Sequence, residues 1–445
     1  MYCKKLFCTI LAAAAALTVA AGELTFKFSC NKTEPVFKVG EKIILTGEVF
    51  DDGKPAVEQK VSVYLNNDNK VVKYIKKVNA GKPFSFEFTP PVPGWVSMRI
   101  YVLDAKGKHM TKKIKRHGRV ITESCYGGYG VMVEPEKLAV AKAEPADFDE
   151  FWNKVKADLA AVPVKELEKK SVPNAKVDIF NVKISCIGEK PVSGYLCMPK
   201  NAKPKSLPAM LFFHGAGVGS SYANIGAALR GYIYFDVNAH GIENGLPRKH
   251  YNDLRANYYL PAGKPGYPHW GKDNRDTFYF KGMFARVLRA LEYVKTLPQW
   301  DGKHLIVCGG SQGGAQVLVA AGLDKDVSLA KCEVPAMCDH SGCLAGHMSG
   351  WPKLYKATKD GKPDNQAVAD CAGYFDGVHF AKRIKCPIYF STGGIDFTCP
   401  PSSVYKAYNN IPAGTKKSLD YTPTGNHGGS KTKNFDQIAQ KHIKE

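Results

Sequence analysis

Ser311, Asp396 and His427 are the residues of this chain whose types, order and surroundings suit covalent chemistry. Ser311 sits in L-I-V-C-G-G-S-Q-G-G (305–314), where an apolar run of strand length meets a glycine-flanked serine and a helix-like stretch follows at once. Gly309, Ser311 and Gly313 have the G-x-S-x-G spacing of a sharp strand-to-helix turn that lifts a serine hydroxyl above a sheet. The glycines serve sterics, because so tight a turn leaves no room for neighbouring side chains. A dinucleotide fingerprint fits poorly, since Ser311 stands where the second glycine of G-x-G-x-x-G must let the backbone approach a pyrophosphate.

A serine hydroxyl is a weak nucleophile until a base takes its proton, and the base needs a partner to hold its tautomer. Asp396 directly follows the strand-like I-Y-F-S-T-G-G-I, and His427 lies in the glycine-rich loop T-G-N-H-G-G after the last strand-like run. The order serine, acid, histidine is the one expected when an elbow of this kind carries a triad. Negative charge developing on a substrate oxygen needs two backbone donors at fixed positions. The amides of Gln312, next after the serine, and Ala216, in the H-G-A-G loop after the strand-like M-L-F-F, suit that role. His214 opens this loop, either shaping it by hydrogen bonding or meeting the substrate. The constellation calls for no metal and no cofactor.

Cys332, Cys338, His340, Cys343 and His347 crowd a short stretch but lack C-x-x-C or H-x-x-x-H spacing, so a disulfide between two of these cysteines is the better reading than a zinc site. Cys186, Cys197, Cys308 and Cys386 sit in or beside apolar strand-like runs and read as buried thiols. Residues 1–21 carry Lys4 and Lys5, an uncharged alanine-rich run and then small residues, the pattern of a secretory signal cleaved near Ala21 rather than a membrane anchor. The expected location is therefore periplasmic or extracellular. The formal charge of +21 becomes +19 once the two leader lysines depart. Such a surface favours polyanions, acidic polysaccharides among them, although lysines scattered singly read as solvated surface. No zinc-finger, RNP-like or basic-helix pattern points to nucleic acid.

These groups need elements to position them. From Leu24 to about Leu103 short period-two runs (L-T-F-K-F, I-I-L-T-G-E-V-F, V-S-V-Y-L, F-S-F-E-F, W-V-S-M-R-I-Y-V) alternate with turn residues, which predicts a small all-β, immunoglobulin-like sandwich over 22–120. Its role reads as spacer or packing unit, with glycan binding as the alternative. A linker is expected over 121–146, containing G-G-Y-G. The second unit, 147–445, opens with an amphipathic helix carrying Phe148, Phe151, Trp152, Val155 and Leu159 on one face and Asp147 as N-cap. Strand-like runs then alternate with helical ones, the clearest helix covering Thr277 to Leu297. C-E-V-P-A-M-C-D (332–339) also reads as a strand. The pattern predicts an α/β unit with a mostly parallel sheet flanked by helices, and functional groups at the carboxyl ends of its strands.

The second unit resembles the acetyl xylan esterase and cephalosporin C deacetylase family, carbohydrate esterase family seven, of the α/β-hydrolase superfamily. The matching stretches are F-D-E-F-W, G-G-S-Q-G-G around Ser311, V-P-A-M-C-D, and I-D-F-T-C-P-P-S-S-V-Y-K-A-Y-N-N-I around Asp396. The resemblance implies Ser311 as nucleophile, Asp396 and His427 as its partners, and the amides of Ala216 and Gln312 as oxyanion donors. It also implies a hydrolase that removes O-acetyl groups from polysaccharides or oligosaccharides, and a homo-oligomer built as a hexameric ring. Three departures mark this chain. H-G-A replaces the usual H-G-Y; N-A-H-G, from Asn238 to Gly241, replaces R-G-Q-G and introduces His240; and Gly428 follows His427 where glutamate is usual. His214, Asn238 and His240 are accordingly expected to border the substrate pocket. Peptide or lactone cleavage on the same fold, and non-catalytic glycan binding, are the alternative functions.

Overall fold

The computed structural model describes residues 23–116 and 119–445, so the expected leader lies outside the described residues. The N-terminal part is a two-sheet sandwich. One sheet joins Leu24–Cys30, Ile43–Asp51, Lys54–Pro55 and Phe84–Phe88; the other is ordered Val36–Phe37, Tyr126–Val133, Gly94–Val102, Lys60–Asn67, Lys70–Asn79. Alternation explains the core: Ile43, Leu45 and Val49 point inward from one strand and meet Val61, Val63, Met98 and Ile100 from the facing sheet.

The expected linker needs correction, because Arg119–Ser124 pairs with Thr111–Arg116 and Tyr126–Val133 is a central strand of the second sheet. Gly127, Gly128 and Gly130 disguise that strand in the sequence, yet close approach requires them. A Cβ on Gly127 would sit 2.5 Å from the Phe26 ring, and one on Gly130 would sit 1.9 Å from the Gly394 carbonyl oxygen.

The second unit is built on a nine-stranded sheet ordered Glu166–Ser171, Val177–Ile184, Val192–Pro199, Ile233–Val237, Leu207–Phe213, Trp300–Gly310, Leu329–Glu333, Ile388–Gly393, Lys417–Thr422. The first three are antiparallel and the remaining six run parallel. The helix Phe148–Ala160 buries the five apolar residues its spacing singled out, and Tyr279–Thr296 buries Phe280, Phe284, Val287, Leu291 and Val294. Asp147 occupies the N-cap position without capping. Its carboxylate instead accepts from Arg275 and Tyr374. Gln312–Leu323 is almost wholly apolar and runs through the interior, its two glutamines, Gln312 and Gln316, buried with hydrogen-bond partners.

Two further expectations change. The chain leaves its strand at Glu333, because Val334, Met337 and Asp339 take positive φ and turn away from the sheet. The eleven cysteines from Cys30 to Cys399 are all unpaired, including Cys332, Cys338 and Cys343. Burial pushes the Cys308 and Cys386 thiols up to about 12, which suppresses the reactive thiolate. No helix among the described residues is long and apolar enough to cross a membrane. Thiol titration of the denatured chain without reductant should therefore count all eleven of these cysteines as free, and reductant should leave Tm unchanged; a lower count would reveal a disulfide.

Candidate active site

Ser311 occupies the junction between Trp300–Gly310 and Gln312–Leu323 with φ 57° and ψ −122°. A non-glycine residue held there stores about 1–3 kcal/mol of strain. The surroundings oppose its release: Ser311 N donates to the Glu333 carbonyl (2.9 Å), and its own carbonyl accepts from Ala336 (2.9 Å) and Ala315 (3.1 Å). The flanking glycines answer to contact distances. A Cβ on Gly313 would lie 2.0 Å from the Phe213 carbonyl oxygen, and one on Gly309 would lie 2.5 Å from that of Gly313.

Two loops from the adjacent carboxyl edge reach this serine. After Ile388–Gly393 the chain presents Asp396, and after Lys417–Thr422 it presents His427. His427 Nε2 lies 2.9 Å from Ser311 Oγ, and Nδ1 lies 2.8 Å from Asp396 Oδ2. A carboxylate at Nδ1 keeps the ring hydrogen there and leaves Nε2 free to accept from the serine hydroxyl. The other carboxylate oxygen, Oδ1, accepts from the backbone of Thr398 (2.8 Å) and Cys399 (2.9 Å). Asp396 is fully buried, whereas the His427 side chain is one-third exposed, open to an incoming molecule.

A cavity of about 400 Å³ opens over Ser311, lined by Gly215, Ala216, Gly310, Glu333, Val334, Trp351, Thr398, His427 and Lys431. Ala216 faces this space. Gln312 opens the helix that follows, where backbone N–H groups have no intrahelical acceptor. Its side chain is buried and accepts from the Tyr267 hydroxyl (2.7 Å).

The three expected pocket residues are placed elsewhere. His214 Nε2 pairs with the buried Asp236 carboxylate on the neighbouring strand. Asn238 and His240 are buried behind the 215–219 loop. His240 Nε2 donates to the Gly217 carbonyl (2.8 Å) while Nδ1 accepts from the Tyr279 hydroxyl, and Asn238 Nδ2 donates to that of Gly219 (2.9 Å). Asn238 Oδ1 in turn accepts from His240 N (3.0 Å). Burial pushes the His240 imidazole down to about 3, against the opposing pull of the Gly217 carbonyl, so the ring is a neutral bracket. Sequence neighbourhood located these residues near the loop but could not say which side of it they occupy. Conversely, Trp351, Glu333 and Lys431 enter the wall from segments whose spacing carries no catalytic signal; an isolated tryptophan between Gly350 and Pro352 was the only hint.

A nucleophile elbow at the carboxyl edge of a mostly parallel sheet, met by an acid and a histidine from the second and third strand ends beyond it, defines an α/β-hydrolase. Residues 134–444 match the acetyl xylan esterase (AXE1) family, and the chain belongs to that family. It is 31% identical to acetyl esterase Axe7A of Xylanibacter ruminicola over 352 residues, covering 78% of this chain and 73% of that protein. Acetyl xylan esterase from Paenibacillus sp. R4 superposes with a TM-score of 0.57 at 25% identity, covering 70% of this chain and 97% of that one. Acetyl xylan esterase 1 from Thermoanaerobacterium sp. JW/SL YS485 shares the fold, with a TM-score of 0.57, 23% identity, and 70% and 96% coverage. The chain is thus a carboxylic ester hydrolase of acetylated substrates. The Gly313→Ala substitution tests the elbow: its Cβ must displace the Phe213 carbonyl or Ser311, so kcat should fall by about a hundredfold or more. Wild-type turnover in that variant would show that the tight turn is dispensable.

Proposed function

We propose that the chain is an exported serine esterase that removes O-acetyl groups from polysaccharides or their oligosaccharides through an acetyl-enzyme on Ser311. The reading rests above all on the continuous hydrogen-bonded path from Asp396 through His427 to the Ser311 hydroxyl, ending in an open cavity. In the first half-reaction Ser311 Oγ attacks the acetyl carbonyl carbon as its proton passes to His427 Nε2. Asp396 stabilises the imidazolium that forms. The carbonyl oxygen becomes an oxyanion held by the amides of Ala216 and Gln312, each donor supplying roughly a hundredfold in rate. Collapse breaks the bond to the sugar oxygen, which takes the proton from His427 and leaves as an alcohol. Water then attacks the acetyl carbon as its proton passes to His427; collapse breaks the bond from that carbon to Ser311 Oγ, which takes the proton back from His427, and acetate leaves.

Val334 and Trp351 offer an apolar wall suited to a short acyl group, while the one-third exposure of His427 leaves room for a bulky sugar alcohol. Export rests on the leader pattern of residues 1–21. Acetate release from a panel of acetylated xylan, pectin and related glycans, set beside butyryl and peptidyl model substrates, tests the specificity. Acetyl esters should be preferred, and Ser311→Ala should lower kcat by roughly a millionfold. Wild-type activity in Ser311→Ala, or preference for the peptidyl or butyryl substrates, would overturn the reading.

A further inference from the structure

The sandwich does more than abut the catalytic unit, because it touches the two loops that carry the acid and the base. Trp95, on the strand Gly94–Val102, is fully buried, and its indole N–H donates to the Gly394 carbonyl (2.7 Å), two residues before Asp396. Its ring lies against Phe397, with centroids 4.7 Å apart, one residue after Asp396. On the next strand, Gly130 N donates to the Pro423 carbonyl (2.9 Å) at the start of the loop bearing His427. The same glycine is pressed on Gly394 so closely that a Cβ would sit 1.9 Å from its carbonyl oxygen.

Acid and base loops are themselves stacked backbone on backbone. Gly394 N donates to the Thr422 carbonyl (2.8 Å) and Ile395 N to that of Gly425 (2.9 Å). Their outer layer comes from the sandwich. A second anchor lies close by in sequence, where the buried carboxylate of Asp68 accepts from Ser402 Oγ (3.1 Å) in the helix Pro401–Asn410 just past the acid loop. Spacers between domains do not need a buried hydrogen bond to an active-site loop; an indole N–H without this acceptor would be left unpaired in the interior.

We propose that the N-terminal sandwich is a structural part of the active site, with Trp95 and Gly130 as positioning residues that fix the separation of the Asp396 and His427 loops and thereby the approach of His427 to Ser311. The proposal rests on the Ser311, His427 and Asp396 reading. Catalysis is sensitive to such spacing, since a misplacement of about 1 Å can cost a hundredfold in rate.

The test uses the full chain. Trp95→Phe keeps an aromatic ring in place while removing the N–H donor and part of the indole's bulk, and Gly130→Ala wedges the two loops. Val63→Ala weakens the sandwich core away from the contact and serves as the control. Each is assayed for acetyl ester hydrolysis well below its Tm, and the proton spectrum is searched for the strongly deshielded His427 Nδ1–H that a histidine–carboxylate bond produces. Trp95→Phe and Gly130→Ala should lower kcat by about 10- to 100-fold with KM within about twofold of wild type, and should shift or broaden that resonance. Val63→Ala should lower Tm while leaving kcat and the resonance in place. Wild-type kcat in both interface variants, or an equal loss in Val63→Ala, overturns the proposal. An active Ser311→Ala would sink the triad itself, so the two failures are distinguishable.

Discussion

The fold is arranged around one strained residue. Ser311 can present its hydroxyl above the sheet only if the chain turns from Trp300–Gly310 into Gln312–Leu323 through a positive φ that a serine does not favour. That turn dictates its neighbours. It requires the bare backbone of Gly309 and Gly313 against Phe213, and it takes its hydrogen bonds from Glu333 and Ala336 on the next segment. It also sends the following helix straight through the core, which is why that helix carries no charged residue before its C-cap and why Gln312 and Gln316 are buried. The strain is borne by the rigid centre of the parallel sheet, the part of the molecule least able to yield.

Once the hydroxyl is fixed, everything else must come to it. Asp396 and His427 reside on loops, which by themselves hold geometry loosely. Their precision comes from glycine stacking. Gly393 packs on Gly425, Gly394 on Pro423, and Gly130 of the sandwich on Gly394, each so close that a Cβ has no space. On the opposite side of the serine, His240 and Asn238 brace the loop that carries Ala216. The three segments that approach Ser311 are therefore each held from behind by buried hydrogen bonds, and the cavity remains as the open face.

Much of this was legible in the sequence because tight geometry forces residue identity. G-G-S-Q-G-G admits few other backbones, and the apolar spacing of Phe148, Phe151, Trp152 and Val155 admits little besides a buried helical face. The misreadings share a physical cause. Gly127, Gly128 and Gly130 look like a linker because a glycine required by a distant backbone is indistinguishable, in sequence, from one required by a turn. His214, Asn238 and His240 read as pocket wall in the sequence because order along the chain shows proximity and not the direction of a side chain. The capping role expected of Asp147 gave way to partners more than a hundred residues distant, Arg275 and Tyr374, which no local pattern encodes.

The central claim is that Ser311 becomes acetylated and is then freed by water. Rapid acid quenching of the enzyme during turnover of an activated acetyl ester, followed by mass spectrometry of the intact chain and its peptides, tests this directly. The account predicts one added acetyl group on the peptide containing Ser311, accumulating before the steady state and disappearing when substrate is exhausted. Turnover without any covalent acetyl group, or with the acetyl on another residue, would contradict it.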